Sequence, residues 1–167
     1  LDEVEQRTGR TLVGRGPLDP TADPLWQRYL AGELSYTGYW VEYAAANGYG
    51  DWRELFRELP FDERPEAFVH PEAARLIRDA QLAGLKVGAL TNDGVGINGR
   101  DFFDTIPIIA GFDSFSDAQA YGGKPAPGAY IAAADALGVA PDEVVFLDDL
   151  PYCVDGARAV GMWAVLI

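Results

Sequence analysis

The sequence predicts an α/β protein: a doubly wound parallel sheet preceded by a small helical subdomain. Three observations carry that prediction. From about residue 65 onward, helical patterns alternate with short apolar runs, the arrangement of a parallel sheet with helices on both faces. Residues 144–147 are continuously apolar (Val144, Val145, Phe146, Leu147), as expected of a strand buried on both faces. Residues 24–59 are rich in aromatics at helical spacing and carry their own capping residues.

The elements follow in order. Residues 1–9 read as a helix end stopped by Gly9. Residues 10–24 hold Gly14, Gly16, Pro17, Pro20 and Pro24 and form a loop or hinge. Trp26, Tyr29 and Leu30 share a helix that Gly32 ends. Ser35 caps a second helix, in which Tyr36, Trp40 and Tyr43 line one face before Asn47-Gly48. Asp51 caps a third, with Trp52, Leu55 and Phe56. The aromatic stripe either packs the subdomain's own core or walls a pocket; i, i+4, i+7 spacing favours packing.

Residues 71–83 form the next helix, followed by strands at 87–90 and 112–116. A helix over 127–137 has Pro at its start and Gly138 behind it. Strand 144–147, a helix over 154–160 stopped by Gly161, and a final strand at 163–167 complete the chain. The predicted division is a helical cap over 10–62 and an α/β core over 63–167.

Composition narrows the function. Twenty-six Asp and Glu against 13 Lys and Arg give the 167 residues a formal net charge of −13. That balance argues against nucleic acid or an anionic membrane as partner. The sequence has no apolar run of membrane-spanning length and opens on no secretory signal pattern. Cys153 is the only cysteine, so no internal disulfide forms, and a reducing cytoplasm is the expected compartment. It reads as a small buried thiol. His70 is the only histidine and precedes Pro71, where capping or plain exposure is expected rather than metal binding. Nothing in the sequence sets an oligomeric state.

Ligands of such sheets bind beyond the carboxyl ends of the strands. Three polar groups cluster there in the predicted topology: Thr91-Asn92-Asp93, the loop Gly122-Gly123-Lys124-Pro125, and Asp148-Asp149. Two adjacent carboxylates with oxygen-only ligation suit Mg²⁺. A Thr hydroxyl and a backbone N–H suit phosphoryl oxygens, and Lys124 supplies a compact positive charge. Taken singly, each has a plain structural alternative: Asp148-Asp149 a surface turn, Thr91 a helix cap, Lys124 a solvated loop lysine. Their common order and placement favour phosphoryl chemistry.

At these residues the sequence resembles the haloacid dehalogenase (HAD) superfamily. Thr91-Asn92 after an apolar strand, Lys124-Pro125-Ala126-Pro127 leading to Tyr130, and Phe146-Leu147-Asp148-Asp149 resemble its second, third and fourth motifs. The stretch 24–59 resembles the small cap of one branch, with Gly32-Glu33-Leu34 and Trp40 the most similar run. The phosphatase domain of soluble epoxide hydrolases is the most similar variety.

The resemblance implies a Rossmann-like, HAD-type fold and a Mg²⁺-dependent phosphohydrolase acting on a small phosphorylated metabolite through an aspartyl-phosphate. It implies that Thr91 and Asn92 bind the phosphoryl group. Lys124 neutralises that group and steadies the nucleophile. Asp149 binds Mg²⁺ with Asp148 in support; Thr91, Lys124 and Asp148 are the catalytic set. The family's nucleophile lies in a D-x-D segment ending a first, central strand, and no such segment occurs here: Asp2-Glu3-Val4 lacks both the strand and the second Asp. Cys153 and Ala126 also stand where many members have Asn and Asp.

The chain opens on Leu1 and closes on the apolar run 163–167, and it is expected to be part of a longer protein whose first strand is missing here. Two other readings stay open: an inactive pseudoenzyme or binding module on the same scaffold, and a metal-free 2-haloacid dehalogenase, against which the acidic pair Asp148-Asp149 argues.

Overall fold

A computed structural model describes residues 1–58, 69–92 and 103–167. The chain divides into two compact units, Leu1–Glu63 and Arg64–Ile167. The sequence-based boundary at 62/63 and Asp93 both lie outside the described residues.

The first unit is helical. Helix α1 (Asp2–Thr8) ends at Gly9, whose φ of 67° is the left-handed conformation that glycine adopts without strain. Helix α2 (Pro24–Leu30) starts on Pro24, with the Asp23 carboxylate accepting from the N–H groups of Leu25 and Trp26. Ser35 caps α3 (Tyr36–Ala46) by accepting from Gly38 N–H, and Asp51 caps α4 (Trp52–Arg57).

Tyr36, Trp40 and Tyr43 are buried at 9%, 5% and 0% exposure, so the stripe packs the unit's own core. Trp26 meets Tyr39 edge to face at 4.8 Å, and Trp40 meets Phe56 at 4.9 Å. Asp23, not singled out by the sequence, is the polar centre of this core. One of its oxygens caps α2; the other accepts from Gly16 N–H at 2.8 Å and from Tyr39 Oη–H at 2.9 Å. Gly14 has no room for a side chain, because a Cβ there would lie 2.5 Å from an Asp23 oxygen.

The second unit contains the strands. Helix α5 (Pro71–Leu82) precedes β1 (Gly88–Thr91). The short helix α6 (Pro107–Ala110) precedes β2 (Ser114–Asp117). Then come α7 (Pro127–Leu137), β3 (Val145–Asp148), α8 (Pro151–Ala159) and β4 (Trp163–Leu166). All pairing is parallel: β1 with β2, from Gly88 opposite Ser114 to Thr91 opposite Asp117, and β3 with β4, from Val145 opposite Trp163 to Asp148 opposite Leu166.

The strands form two separate two-stranded sheets, the arrangement expected of this parallel fold without its central strand; among the described residues β1 bonds only to β2 and β3 only to β4. Three expectations are corrected. Strand β3 is buried on one face, not both. Phe146 and Ala164 turn toward a core of Tyr130, Ala134, Ala157 and Met162 from α7, α8 and the turn after it. Val145, Leu147, Trp163 and Val165, on alternate positions of the paired strands, are exposed. Helix α8 begins three residues earlier than its periodicity predicts, because Pro151 is well placed in a first helical turn. His70 makes no side-chain cap and is exposed, so the surface role stands and the capping one does not.

Replacing Asp23 by Ala takes the acceptor from three backbone N–H groups and a tyrosine hydroxyl in and beside a dry core. The expected loss is about 3 kcal/mol of stability, read from urea unfolding of the variant against the parent. A difference under about 0.5 kcal/mol would rule out this role.

The tyrosines add a pH dependence. Burial, with help from the Asp23 carboxylate, pushes Tyr43 from 10.0 up to about 12, and burial together with the Asp23 hydrogen bond raises Tyr39 further. The folded state favours the neutral phenols. Their contribution is complete below about pH 10 and lost as pH rises through the folded value. Alkaline titration is expected to release the tyrosinate absorbance of Tyr39 and Tyr43 only together with loss of helical circular dichroism. Ionisation of every tyrosine near pH 10 with the dichroism intact would contradict it.

Candidate functional site

The site is assembled at the carboxyl ends of β1 and β3. Thr91 is the last residue of β1 and Asp148 the last of β3. Asn92 follows Thr91, and Asp149 follows Asp148 on the exposed side. The third part is a loop whose course is set by two glycines: Gly122 (φ 93°) and Gly123 (φ 74°) reverse the chain, and Gly123 N–H donates to Ala118 O at 2.8 Å. Lys124 comes next.

The Lys124 ammonium donates to Asp148 Oδ2 at 2.6 Å; their side chains are only 12% and 5% exposed. The ammonium also stands 5.5 Å from the centre of the Phe146 ring. Asp148 Oδ1 accepts from Leu150 N–H at 2.9 Å. Removing either partner of such a shielded pair leaves an uncompensated charge away from water.

The loop is held from two sides. From β1, the Asn92 side chain accepts from Lys124 N–H at 2.7 Å and donates to Lys124 C=O at 3.1 Å. From α8, Gly156 leaves no space for a side chain: a Cβ there would lie 2.9 Å from the Pro125 carbonyl oxygen and 2.8 Å from Tyr130 Oη. Tyr130 Oη–H donates to Cys153 O at 2.8 Å and ties α7 to α8.

Of the residues singled out by sequence, the structure brings Asn92, Lys124 and Asp148 into one hydrogen-bonded chain, with Thr91 and Asp149 adjacent to its two ends. The sequence analysis missed the Asn92 side-chain contacts and the close approach at Gly156. A glycine inside an amphipathic helix was the available signal for the second.

Cys153 is fully buried, and desolvation with the nearby Asp148 pushes its thiol up to about 12, which suits packing rather than nucleophilic attack.

Asp148 and Asp149 offer oxygen donors only. Both Asp148 oxygens already accept one protein hydrogen bond, but each retains a lone pair, and Asp149 is exposed. Two carboxylates fit Mg²⁺, which keeps several waters. Among the described residues no three His, Cys, Asp or Glu side chains gather into a larger metal-binding group. In the helical unit, an open cleft of about 540 Å³ is lined by Asp2, Glu5, Arg10 and Arg15 among others. Arg15 there is already paired with Asp2 and Glu5, so the cleft offers no comparable chemistry.

Comparison with known proteins agrees with the fold. The haloacid dehalogenase-like hydrolase family matches residues 27–161. Phosphatase MT3486 of Mycobacterium tuberculosis is 37% identical over 99 residues, 59% of this chain and 46% of that protein, so the match spans less than half of the relative's length. The L-2-haloacid dehalogenase of Xanthobacter autotrophicus, solved with chloropropionic acid covalently bound, superposes with a TM-score of 0.61 at 24% identity, covering 86% of this chain and 59% of its own. CbbY of Rhodobacter sphaeroides, solved with phosphate, gives 0.57 at 18% identity, covering 98% and 75%. Both structures share the fold. No helix among the described residues is long and apolar enough to cross a membrane.

Gly156→Ala drives a methyl group into the Pro125 carbonyl. The expected cost is about 1–3 kcal/mol, from a shift of α8 or of the Lys124 loop. Thermal unfolding of the variant checks this, and an unchanged melting temperature would show that the two elements are not in contact.

Proposed function

Since the chain belongs to the haloacid dehalogenase-like hydrolase family, we propose that it forms the greater part of a Mg²⁺-dependent phosphohydrolase acting on a small phosphate ester in the cytoplasm. The observation that carries this reading is the Lys124–Asp148 pair, held between the ends of two parallel strands beside Thr91. A shielded ammonium at that point matches a phosphoryl group approaching from solvent.

In this reading the ester's phosphoryl oxygens take hydrogen bonds from the Thr91 hydroxyl and the Asn92 backbone N–H, and the Lys124 ammonium neutralises their charge. Asp149, supported by Asp148, would hold Mg²⁺, which supplies charge neutralisation to the transferring group. The nucleophile would be a carboxylate carried on a strand between β1 and β3, each of which pairs on one edge only among the described residues. It would attack phosphorus as the bond from phosphorus to the ester oxygen breaks; that oxygen would leave as the alcohol with a proton from solvent water, giving an acyl phosphate. Water then hydrolyses that anhydride, releasing inorganic phosphate and restoring the carboxylate. The exposed apolar positions Val145, Leu147, Trp163 and Val165 are further support for additional chain packing on this sheet in the whole protein.

The test uses the protein encoded by the complete gene. It is expected to hydrolyse p-nitrophenyl phosphate with Mg²⁺ and to stop on chelation. Lys124→Ala is expected to lower kcat/KM by about a hundredfold or more. Residues 1–167 alone are expected to be inactive. Full activity of Lys124→Ala, or turnover by residues 1–167 alone, would contradict the reading.

A further inference from the structure

We propose that Asn92 is the positioning residue of this site, acting through the backbone of Lys124 rather than on the ligand. The inference rests on the reading of Lys124 as the phosphate-neutralising group. The Asn92 carboxamide has an acceptor and a donor side by side. Lys124 presents the complementary pair, its own N–H and C=O, at 2.7 and 3.1 Å. Two bonds to one residue fix its orientation as well as its place, which a single bond does not.

The chemistry selects this side chain. Aspartate carries two acceptors, so one oxygen would face the Lys124 carbonyl in repulsion. Serine is too short to span both groups, and glutamine adds a methylene that the half-buried space must accommodate. Position matters equally. Asn92 directly follows the last residue of β1, so its amide transmits the placement of that strand to a loop 32 residues away in sequence.

The consequence reaches the ammonium. A lysine side chain has four rotatable methylenes and takes up many rotamers unless its head group is held. The short contact to Asp148 at 2.6 Å depends on where the backbone starts. Gly156 limits movement of Pro125 on the opposite side. With the bracket removed, the loop is restrained on one side only, and the ammonium samples positions away from the phosphate. Asn92 thus has a role distinct from the phosphoryl contact implied by its motif: its N–H can serve the ligand while its side chain holds Lys124.

The experiment combines a binding cycle with amide exchange on the complete protein. Inorganic phosphate affinity, with Mg²⁺ present, is measured for the parent, Asn92→Ala, Lys124→Ala and the double variant. Asn92→Ala is expected to weaken phosphate binding about tenfold, and to have no further effect once Lys124 is alanine. An equal loss with and without Lys124 would overturn the proposal and assign Asn92 a direct ligand contact. In parallel, the Lys124 amide is expected to exchange at least about tenfold faster in Asn92→Ala. Unchanged exchange in the folded variant would also overturn it.

If Lys124→Ala binds phosphate like the parent, the functional reading fails, and amide exchange alone then decides the bracket. Asn92→Asp covers an alanine variant that does not fold. Its second oxygen faces the Lys124 carbonyl in repulsion, so the Lys124 amide is expected to exchange faster than in the parent. Parent-like protection of that amide in folded Asn92→Asp overturns the bracket.

Discussion

Lys124 joins the ends of two sheets that share no backbone ladder among the described residues. Its backbone is held by Asn92 at the exit of β1, and its ammonium is held by Asp148 at the end of β3. Helix α7, which follows the same loop, supplies Tyr130 and Ala134 to a core that also takes in Leu90 of β1 and Phe146 of β3. The two sheets are therefore connected by polar contacts at their carboxyl ends and by an apolar layer on one face. Parallel strands without a ladder between them depend on such contacts far more than the strands of a continuous sheet do.

The exposed side of β3 and β4 fits the same picture. Parallel sheets are ordinarily covered on both faces, because their connections run over both. Here α7 and α8 cover Phe146 and Ala164, while Trp163 is 71% exposed on the other side. Among the described residues β1 and β3 each pair on one edge, and Trp163 and Val165 lie on an uncovered face of the second sheet. In the proposed chemistry Thr91, Asn92 and Lys124 would bind and neutralise a phosphoryl group, and the attacking carboxylate would come from a further strand.

Much of this was legible in the sequence, for identifiable reasons. Pro24, Ser35, Asp51, Pro127 and Gly138 mark helix ends through local hydrogen bonding and backbone preference, which need no tertiary information, and the helices begin and end there. The order of the motifs placed Thr91 and Asp148 at strand ends, with Lys124 on a loop between them, because parallel topology fixes direction. What escaped was non-local. The four-residue run at Val144 reads as buried on both faces because apolar residues do not reveal which neighbours are present. The side-chain bonds of Asn92 to Lys124 were not legible because they depend on a loop 32 residues away. Asp23 went unmarked because its bonds to Gly16 and Tyr39 are set by tertiary packing rather than by spacing.

The aromatic core of the first unit has a consequence for how such a protein diversifies. Helix α3 turns Tyr36, Tyr39, Trp40 and Tyr43 inward, and leaves Val41 half exposed on its outer side. The residues that keep the helix folded are thus a different set from those that meet the surroundings. Mutation can change the outer set over generations without disturbing the inner one. The outer surface of the unit can then diverge widely on a scaffold that stays folded throughout.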